Sequence, residues 1–429
     1  MRSMLFLCHR IPYPPDKGEK IRAWNLVKHL AASHRLHLGC LIDDPADWQH
    51  VSRLQALCAD FAAFGIDRRR QKLRALARFR PGRPLMLDYY GHAGLRRWTR
   101  ETLARDTIDV AYICSAAMAP YVLEAGRMPK PAPRRILDMQ DVDSEKWTEY
   151  GRKEGWPMRL VWAREGRTLL AYERKAALAC ERTLFVSEAE CRRFGELAPE
   201  TRPRLDWVEN GVDLDRFSPQ RVFDTPFPDS APRLVFTGHM DYWPNADAAE
   251  WFAREVMPIL RQRVSGQGTA GQRRPAPRFV VVGANPGPGV AALAKLPDVD
   301  VTGRVADVRP YVAHAAAVVA PLRIARGIQN KVLEGMALAR PLIATPQAFE
   351  GVRAQAGQDV LVGDGADALA RLVGEVLDGA HPGLGEAGRR AVERNYQWAA
   401  TLRKLDRLLA DRPCREPVPN EYTPRELTP

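Results

Sequence analysis

With 429 residues, the chain is too long for one ordinary hydrophobic core, and its length predicts two domains. A hydrophobic content of 45% and a charged content of 27%, with a net charge of +12, argue against large-scale disorder. The seven cysteines form no CxxC pair, which argues against a disulfide framework or a zinc site and favours a reducing cytosol.

Strand and helix patterns alternate through residues 1–215. Short apolar runs predict seven strands, at MLFLCH, RLHLGCLI, FAAFGI, IDVAYICS, RRILDM, RTLFVS and RLDWVEN. Between them, segments such as EKIRAWNLVKHLAAS repeat apolar residues every three or four positions, as helices do. This alternation predicts an α/β domain with a doubly wound parallel sheet and helices on both faces. The first apolar run is too short for a secretory signal, so we expect a protein that is not secreted.

Two loops of this first domain carry polar residues after a predicted strand. In PYPPDKGEKIR, Gly18 allows close approach of the chain to a ligand, and Lys17, Lys20 and Arg22 surround it with positive charge. In DMQDVDSEKW, the D-x-D pair Asp141 and Asp143 has two interpretations, a metal motif or the cap of the next helix.

A basic segment spans residues 67–100. Residues 51–100 hold 12 Lys and Arg against three Asp, and the segment DRRRQKLRALARFRPGRPLML mixes arginines with leucines and a phenylalanine. One interpretation is an interfacial helix in peripheral contact with anionic lipid, and the other is a solvated, arginine-rich connector. No nearby recognition helix or aromatic platform indicates nucleic acid as a partner.

A second alternating series follows a proline-rich stretch at 216–232 that is typical of an interdomain linker. Six strands are predicted between residues 233 and 390, at RLVFTG, RFVVVGA, VDVTG, AAVVAPL, PLIAT and DVLVGD. A long amphipathic pattern, RRAVERNYQWAATLRKLDRLLAD, then predicts a terminal helix at 391–411, and composition predicts a disordered tail at 412–429.

The loop RIARGIQNK is the strongest candidate site, because ligands of open α/β sheets bind beyond the carboxyl ends of the strands. Gly327 permits a tight loop, and the helix that follows directs its first amides, from Gln329 through Asn330 to Lys331, at an anion. The side chains of Arg323, Arg326 and Lys331 add positive charge. The pattern predicts a phosphate or pyrophosphate ligand.

Glu334 lies one helical turn after Lys331. A carboxylate does not favour phosphate, but it accepts two hydrogen bonds from vicinal hydroxyls, as in a ribose. Phosphate at the helix start and a diol one turn later describe a nucleotide. The alternative is a solvated Lys331–Glu334 pair on the surface.

These motifs resemble the GT-B glycosyltransferases, specifically glycosyltransferase family 4 with its E-x7-E signature. The resemblance implies that Glu334 is the second glutamate, which binds the donor ribose, and it places Arg326 where the first glutamate is expected. VENGVDLDRF resembles the family's NGVD hinge motif. LVFTGHMDYWPNAD, with Gly238, stands where the family has a phosphate-binding arginine followed by a lysine; here His239 takes the arginine's place. We therefore expect the three cations of the RIARGIQNK loop to take over diphosphate neutralisation.

The same resemblance assigns further residues. The turn after VTGR would line the nucleobase with Arg304 and Val305, although an ordinary strand–helix turn is the alternative. In the first domain, Gly18 would let the chain approach the donor diphosphate or the acceptor closely. Asp138 and Asp141 would orient the acceptor hydroxyl or the donor sugar, with His239 as a further catalytic group.

The implied protein has two Rossmann-like domains facing a cleft and is a retaining, metal-independent glycosyltransferase. It would use a nucleotide diphosphate sugar as donor substrate, no cofactor, and a glycan or polyprenyl-linked acceptor. RIPYPPDKGEKIR and DVDSEKW further resemble bacterial sugar transferases associated with PEP-CTERM/exosortase systems, which implies exopolysaccharide biosynthesis in the cytoplasm or on the inner membrane face. The rival hypotheses are a nucleotide-sugar epimerase on the same fold and a degenerate nucleotide-binding scaffold.

Overall fold

The computed structural model describes residues 2–126, 131–153, 155–266, 275–325 and 327–411. The tail 412–429, for which we predict disorder, therefore lies outside the described residues. The chain divides into two compact units, Met1–Val208 with Lys404–Pro429, and Glu209–Arg403. Residues 216–232, predicted as the linker, are counted within the second unit.

The first unit is built on seven parallel strands in the order β3-β2-β1-β4-β5-β6-β7. The strands are β1 (Arg2–Cys8), β2 (His34–Ile42), β3 (Asp60–Gly65), β4 (Val110–Cys114), β5 (Arg134–Gln140), β6 (Arg182–Phe185) and β7 (Leu205–Trp207). The helices are α1 (Gly18–Ser33), α2 (Val51–Gln55), α3 (Arg68–Ala77), α4 (Leu85–Tyr89), α5 (Ala93–Arg105), α6 (Ala119–Leu123), α7 (Asp143–Lys153), α8 (Met158–Ala179) and α9 (Glu188–Leu197). All seven strands predicted from the apolar runs are present.

The burial of the central strands explains why apolar runs in the sequence predict them. Phe6 of β1 pairs in register with Leu38 of β2 and with Tyr112 of β4, and all three side chains are buried. Strands covered by helices on both faces need apolar residues at successive positions, which produces the continuous runs seen in the sequence.

The second unit contains a six-stranded parallel sheet in the order β10-β9-β8-β11-β12-β13. Its strands are β8 (Arg233–Thr237), β9 (Arg278–Val282), β10 (Val299–Gly303), β11 (Ala317–Ala320), β12 (Leu342–Ala344) and β13 (Leu361–Val362). Its helices are α10 (Trp243–Trp251), α11 (Met257–Gly266), α12 (Pro288–Ala292), α13 (Arg309–Ala313), α14 (Asn330–Ala337), α15 (Pro346–Phe349) and α16 (Ala366–Leu377). A π-helical turn at Phe252–Val256 joins α10 to α11. Both sheets are doubly wound, as predicted.

The end of the described chain differs from the prediction of one long helix. Two helices form, α17 (Leu384–Asn395) and α18 (Trp398–Ala410). Tyr396 separates them because its buried side chain accepts a hydrogen bond from the amide of Arg353 at 2.5 Å, while its carbonyl accepts one from Val212 at 2.8 Å. The amphipathic period continues across the break, so the sequence pattern does not reveal it.

The part of α18 from Lys404 onward belongs to the first unit. Lys404 Nζ lies 3.0 Å from Asp206 and 3.6 Å from the ring centre of Trp207, and Asp406 lies 2.7 Å from His29. None of the described helices has the combination of length and apolar character that would let it cross a bilayer.

Candidate functional site

The strand order of the second sheet reverses between β8 and β11, which pair directly at Leu234–Ala317 and Val235–Val318. The chain leaves β8 through Gly238 and His239, and it leaves β11 through the loop that leads to α14. Loops that diverge from adjacent parallel strands open a crevice at their carboxyl ends, which is the usual ligand position in this fold class.

The loop after β8 is held by very close packing. A Cβ on Gly283 would lie 1.6 Å from the carbonyl oxygen of Gly238, and a Cβ on Gly238 would lie 2.7 Å from Asn245 Nδ2. Asn245, near the start of α10, donates from Nδ2 to the carbonyl of His239 at 2.8 Å. Glycine at 238 and 283 therefore lets Asn245 fix the course of this loop.

Lys331, in the first turn of α14, extends to Asn245, the residue that holds the loop after β8. Its Nζ donates to Asn245 Oδ1 at 2.5 Å and lies 4.7 Å from the ring centre of Phe236. Burial lowers the pKa of Lys331 to about 7, against the opposing effect of Glu334. The ammonium is thus held at the ends of β8 and β11 by a neutral amide, which leaves its charge available to an anion.

Glu334 lies one turn further along α14. Burial raises the pKa of its carboxyl to about 7, although Arg216 and Lys331 both act to lower it. Within the described ranges its carboxylate accepts no hydrogen bond and lies in no ion pair with Lys331, so the alternative of a simple surface pair does not form here. The next residue, Gly335, packs so closely on the sheet that a Cβ would lie 2.9 Å from Leu342 and 3.1 Å from Val318.

The other two predicted cations are placed differently. Arg323 forms an ion pair with Asp247 of α10, with Nε 3.0 Å from Oδ2, and its guanidinium lies 5.6 Å from the ring centre of Trp251. Arg326 lies outside the described residues. Of the three, Lys331 is therefore the cation that the structure describes at the strand ends with no acidic partner.

The loop before α14 has the predicted tight turn. Gly327 has φ of +61°, a conformation that favours glycine, and Gln329 donates from Nε2 to its carbonyl at 3.1 Å. Asn330 Oδ1 is buried without a hydrogen-bond partner in the described part of the chain. The first amides of α14 have no partner within the helix itself, as at any helix start, and are the donors expected to meet an anion.

Arg304 and Val305 follow β10, which is the edge strand of the sheet and is separated from β8 by β9. Gly303 has φ of +68°, Arg304 is exposed, and Val305 packs against the hydrophobic core. No hydrogen bond or ion pair in the described ranges brings them to Lys331 or Glu334. Their role at the nucleobase stays a prediction.

Arg216 is a candidate functional residue that was not predicted from the sequence. It lies in the turn after the NGVD motif, where its amide donates to Asp213 Oδ1 at 2.9 Å. Arg389 Nη1 donates to the carbonyls of Phe217 at 2.7 Å and Ala337 at 2.6 Å, which joins this turn to the end of α14. Arg216 Nε is buried without a hydrogen-bond partner in the described residues.

The Arg216 charge acts on Glu334, whose pKa it lowers. An arginine that has a buried, unsatisfied donor and whose charge acts on a carboxylate is a group able to keep that carboxylate ionised or to meet a ligand. The signal was present in the sequence as VDLDRF, but only the fold shows that this turn lies against α14. Asn245 was missed for the same reason.

Asp138, at the end of β5, is fully buried. Arg22 donates to both of its oxygens, at 2.8 and 2.9 Å, and the Tyr112 hydroxyl donates at 3.0 Å. Arg22 also donates to the carbonyl of Val208 at 2.7 Å. In this structure Asp138 is an interior group with no exposed oxygen, a setting that favours stabilisation of the unit over direct contact with an acceptor.

Asp141 lies just beyond β5 and is partly exposed. Lys146 Nζ lies 2.9 Å from its carboxylate and 2.9 Å from that of Asp143, so one ammonium bridges the D-x-D pair. In the described part of the chain, no group of three or more His, Cys, Asp or Glu is arranged to hold a metal ion.

Gly18 is the first residue of α1 and is exposed. The expected positive charge around it is largely neutralised, which corrects the prediction for this loop. Lys20 is buried, 3.1 Å from both Asp16 and Asp47, and Arg22 is committed to Asp138. Charged side chains in an interior need such partners, and the sequence did not show which acids would supply them.

Comparison with known proteins places these features in a wider group. Residues 231–379 match the family model of glycosyl transferases group 1. No curated protein matches the chain. Solved structures match it over nearly its whole length, at identities that show the fold alone.

A glycosyltransferase from Rickettsia africae is similar with a TM-score of 0.61 and 13% identity, over 95% of this chain and 97% of that one. Sucrose-phosphate synthase from Thermosynechococcus elongatus has a TM-score of 0.65 and 15% identity, over 96% and 98%. Anabaena Alr3699/HepE in complex with UDP-glucose has a TM-score of 0.64 and 12% identity, over 96% and 100%. The chain thus has the GT-B fold, and the group 1 domain in its second unit makes it a glycosyltransferase of this type.

Proposed function

We propose that this enzyme transfers a sugar, with retention of anomeric configuration, from a nucleotide diphosphate sugar to a glycan or polyprenyl-linked acceptor. The observation that carries the proposal is the placement of Lys331 at the carboxyl ends of β8 and β11, held by Asn245, with the carboxylate of Glu334 one turn away. A UDP sugar is the first donor to test, because the similar Anabaena protein binds UDP-glucose.

Lys331 and Glu334 suit two different parts of a nucleoside diphosphate, its diphosphate and its ribose. The Lys331 ammonium and the first amides of α14 offer donors to the diphosphate, as cationic and helix-start groups do in general. The Glu334 carboxylate, which has no protein donor in the described residues, offers two acceptor oxygens to the ribose hydroxyls. Gly238, Gly327, Gln329 and Asn330 shape the loops around it, and Arg323 and Arg326 remain proposed secondary contributors.

In the proposed reaction, the bond between the anomeric carbon and the diphosphate oxygen breaks, and a bond from that carbon to the acceptor oxygen forms on the same face. The acceptor hydroxyl gives its proton to the departing diphosphate. Electrostatic stabilisation of that diphosphate by Lys331 would lower the barrier. This scheme requires no covalent enzyme intermediate.

For the remaining residues, we propose positions close to the reacting groups rather than fixed chemical roles. His239 follows β8 and its carbonyl is held by Asn245, so its ring is proposed to contact the donor sugar or diphosphate. Asp141 is the more accessible of the two predicted acidic groups, because Asp138 is interior. Lys146 already supplies a cation to Asp141 and Asp143, which supports a reaction without a metal ion.

The wider setting is also a proposal. The motifs that resemble PEP-CTERM/exosortase-associated transferases support a role in exopolysaccharide assembly in the cytoplasm. An acceptor linked to a polyprenyl lipid would bring the enzyme to the inner membrane face, where the basic segment 67–100 would meet anionic lipid.

The first test is a thermal-shift screen of UDP, GDP and ADP against the wild-type chain, followed by titration calorimetry. Specific binding raises the melting temperature by mass action. Incubation of the corresponding nucleotide sugars with and without acceptor then separates the activities. Transfer requires acceptor, an epimerase converts donor alone, and a degenerate scaffold binds without turnover. The anomeric coupling in the NMR spectrum of the product reports retention or inversion.

A further inference from the structure

The first unit exposes large apolar side chains at two places. On α3, Leu73 is 69% exposed and Leu76 is 60% exposed, and Phe79, just after the helix, is 52% exposed. Trp156, two residues before α8, is 83% exposed, and Leu160, in the first turn of α8, is 61% exposed. Isolated exposed apolar residues are ordinary, but adjacent ones indicate an interaction surface.

The two places are joined by direct contacts of α8. The guanidinium of Arg164 lies 4.2 Å from the ring centre of Phe79, and its Nη2 donates to the carbonyl of Arg83 at 2.9 Å. The next residue, Glu165, accepts from the amides of Leu85 at 2.9 Å and Met86 at 3.0 Å. Leu160 lies one helical turn before Arg164. The segment that follows α3 therefore packs on the first turns of α8, and Leu160 lies one turn from this contact.

We use the name apolar–basic face for Leu73, Leu76, Phe79, Trp156 and Leu160 together with the exposed cations of α3 and the segment that follows it. Interleaved with them are five exposed cations for which the described residues provide no acidic side chain in an ion pair: Arg69, Arg70, Lys72, Arg78 and Arg80. Exposed arginines elsewhere do have such partners, for example Arg192 with Glu188 at 3.1 Å. Asp67, at the start of α3, acts on Arg69 and Arg70, but among the described residues none of the five cations is held in an ion pair, and most of the positive charge of this face is left unpaired.

We propose that the apolar–basic face docks on the surface of an anionic lipid bilayer. Bulky apolar side chains beside uncompensated arginines suit the boundary between headgroups and acyl chains, where the rings and leucines enter and the cations meet lipid phosphate. A protein partner would need a matching acidic surface, whereas a bilayer supplies both halves of this chemistry in one plane. The inference deepens the proposed function, on whose lipid-linked acceptor its purpose rests, but the docking itself does not require activity.

The test is flotation of the full chain with phosphatidylcholine vesicles that either contain or lack phosphatidylglycerol. The first variant is Lys72→Glu/Arg78→Glu/Arg80→Glu. The matched control, Arg2→Glu/Arg35→Glu/Lys175→Glu, changes the net charge equally at exposed cations of the same unit that lie outside α3 and the first turns of α8. A third variant, Phe79→Ser/Trp156→Ser, removes two apolar groups without changing charge, and melting curves confirm that all variants fold.

We expect the wild type and the control to float with phosphatidylglycerol vesicles at low salt, and not with phosphatidylcholine alone. The face variant should lose at least tenfold in lipid affinity, since each cation near an anionic surface contributes independently. The apolar variant should bind but be released at lower salt concentrations.

Equal losses in face and control variants would overturn the proposal, because they would show a dependence on net charge alone. Failure of the wild type to float, or tighter binding of duplex DNA than of anionic vesicles, would also overturn it. Nucleoside diphosphate titration on the same preparations keeps the two proposals apart. Floating protein that binds no nucleotide contradicts the proposed function alone, and nucleotide binding without flotation contradicts only the docking surface.

Discussion

Replacement of Lys331 by methionine removes one positive charge from the candidate donor site and keeps a side chain of similar length. We predict weaker binding of a nucleoside diphosphate with unchanged binding of the nucleoside. The reason is that the ammonium lies at the ends of β8 and β11, where its hydrogen bond goes to a neutral amide, Asn245 Oδ1, at 2.5 Å. The phosphate would replace that amide as its partner.

The expected size follows from the kind of bond. A charge-assisted hydrogen bond contributes roughly 1.5 to 3 kcal/mol, and about 1.4 kcal/mol corresponds to tenfold in affinity. Because the ligand contact replaces an existing contact with Asn245, the lower end applies. We therefore expect about a tenfold loss for UDP and none for uridine.

The pH dependence gives a second signature. Burial lowers the pKa of Lys331 to about 7, below the ordinary value of 10.5, so the free protein loses this charge as the pH rises through 7. A bound diphosphate restores the proton. Wild-type affinity for UDP should then fall as the pH rises above neutrality, with proton uptake on binding, and both effects should vanish in Lys331→Met.

The lowered pKa of Lys331 also makes the free energy of unfolding depend on pH. Between about pH 7 and 10.5 the unfolded chain holds the lysine proton and the folded chain does not, so this group makes stability rise with pH in that window. Lys331→Met should remove that rise and be relatively more stable than the wild type below pH 7.

Titration calorimetry in two buffers of different ionisation enthalpy measures affinity and proton uptake together. Lys295→Met, at an exposed cation in the same unit, is the matched control. Equal UDP affinities of the wild type and Lys331→Met, or proton uptake that survives in the variant, would refute the assignment of Lys331 to the diphosphate.

Further predictions address Glu334, Arg216, Asp138 and Gly335. Glu334→Gln should lower affinity for UDP about tenfold but leave affinity for dideoxyuridine diphosphate unchanged, since a charge-assisted bond to the ribose is lost; competition titration compares the two ligands. Because burial raises the pKa of Glu334 to about 7, the wild-type preference for ribose should grow as the pH rises through 7. Arg216→Met should move that transition to higher pH, because the charge that lowers the Glu334 pKa is removed. A transition at the same pH in this variant would show that Arg216 does not act on Glu334. Asp138→Asn should cost roughly 3 to 5 kcal/mol of unfolding free energy in urea, because it leaves the buried Arg22 charge without its partner. Gly335→Ala should cost about 1 to 3 kcal/mol by overpacking, without changing the choice between ribose and dideoxyribose.

The strands were predictable because each central strand is covered on both faces. Runs such as MLFLCH and AAVVAPL have no polar face to interrupt them, and their alternation with helices left a doubly wound sheet as the natural arrangement. The helix break at Tyr396 was not predictable, because the hydroxyl and carbonyl of Tyr396 find partners in Gly351, Arg353 and Val212, far away in the sequence.

At the site, the placement of a residue was predictable where one element supplies the whole pattern. Lys331 and Glu334 lie one turn apart on one helix, as the sequence predicts, and their roles toward phosphate and diol stay proposals. Asn245 and Arg216 come from other elements, and only the order of strands and the Arg389 bridge bring them to α14. Partners of charged groups are the least predictable part, as the pairing of Arg323 with Asp247 shows.

The pairing of Arg323 with Asp247 reduces the positive charge that the loop offers to a ligand. The resemblance suggested that three cations of one loop replace an arginine and a lysine missing after β8. With Arg323 bound to Asp247, the proposed compensation depends on Lys331, whose Nζ donates to Asn245 of the segment that follows β8. A lysine whose pKa lies near 7 is a weak cation until an anion arrives. Its charge is therefore coupled to ligand binding, and UDP should raise the pKa of Lys331, whereas uridine should leave it unchanged.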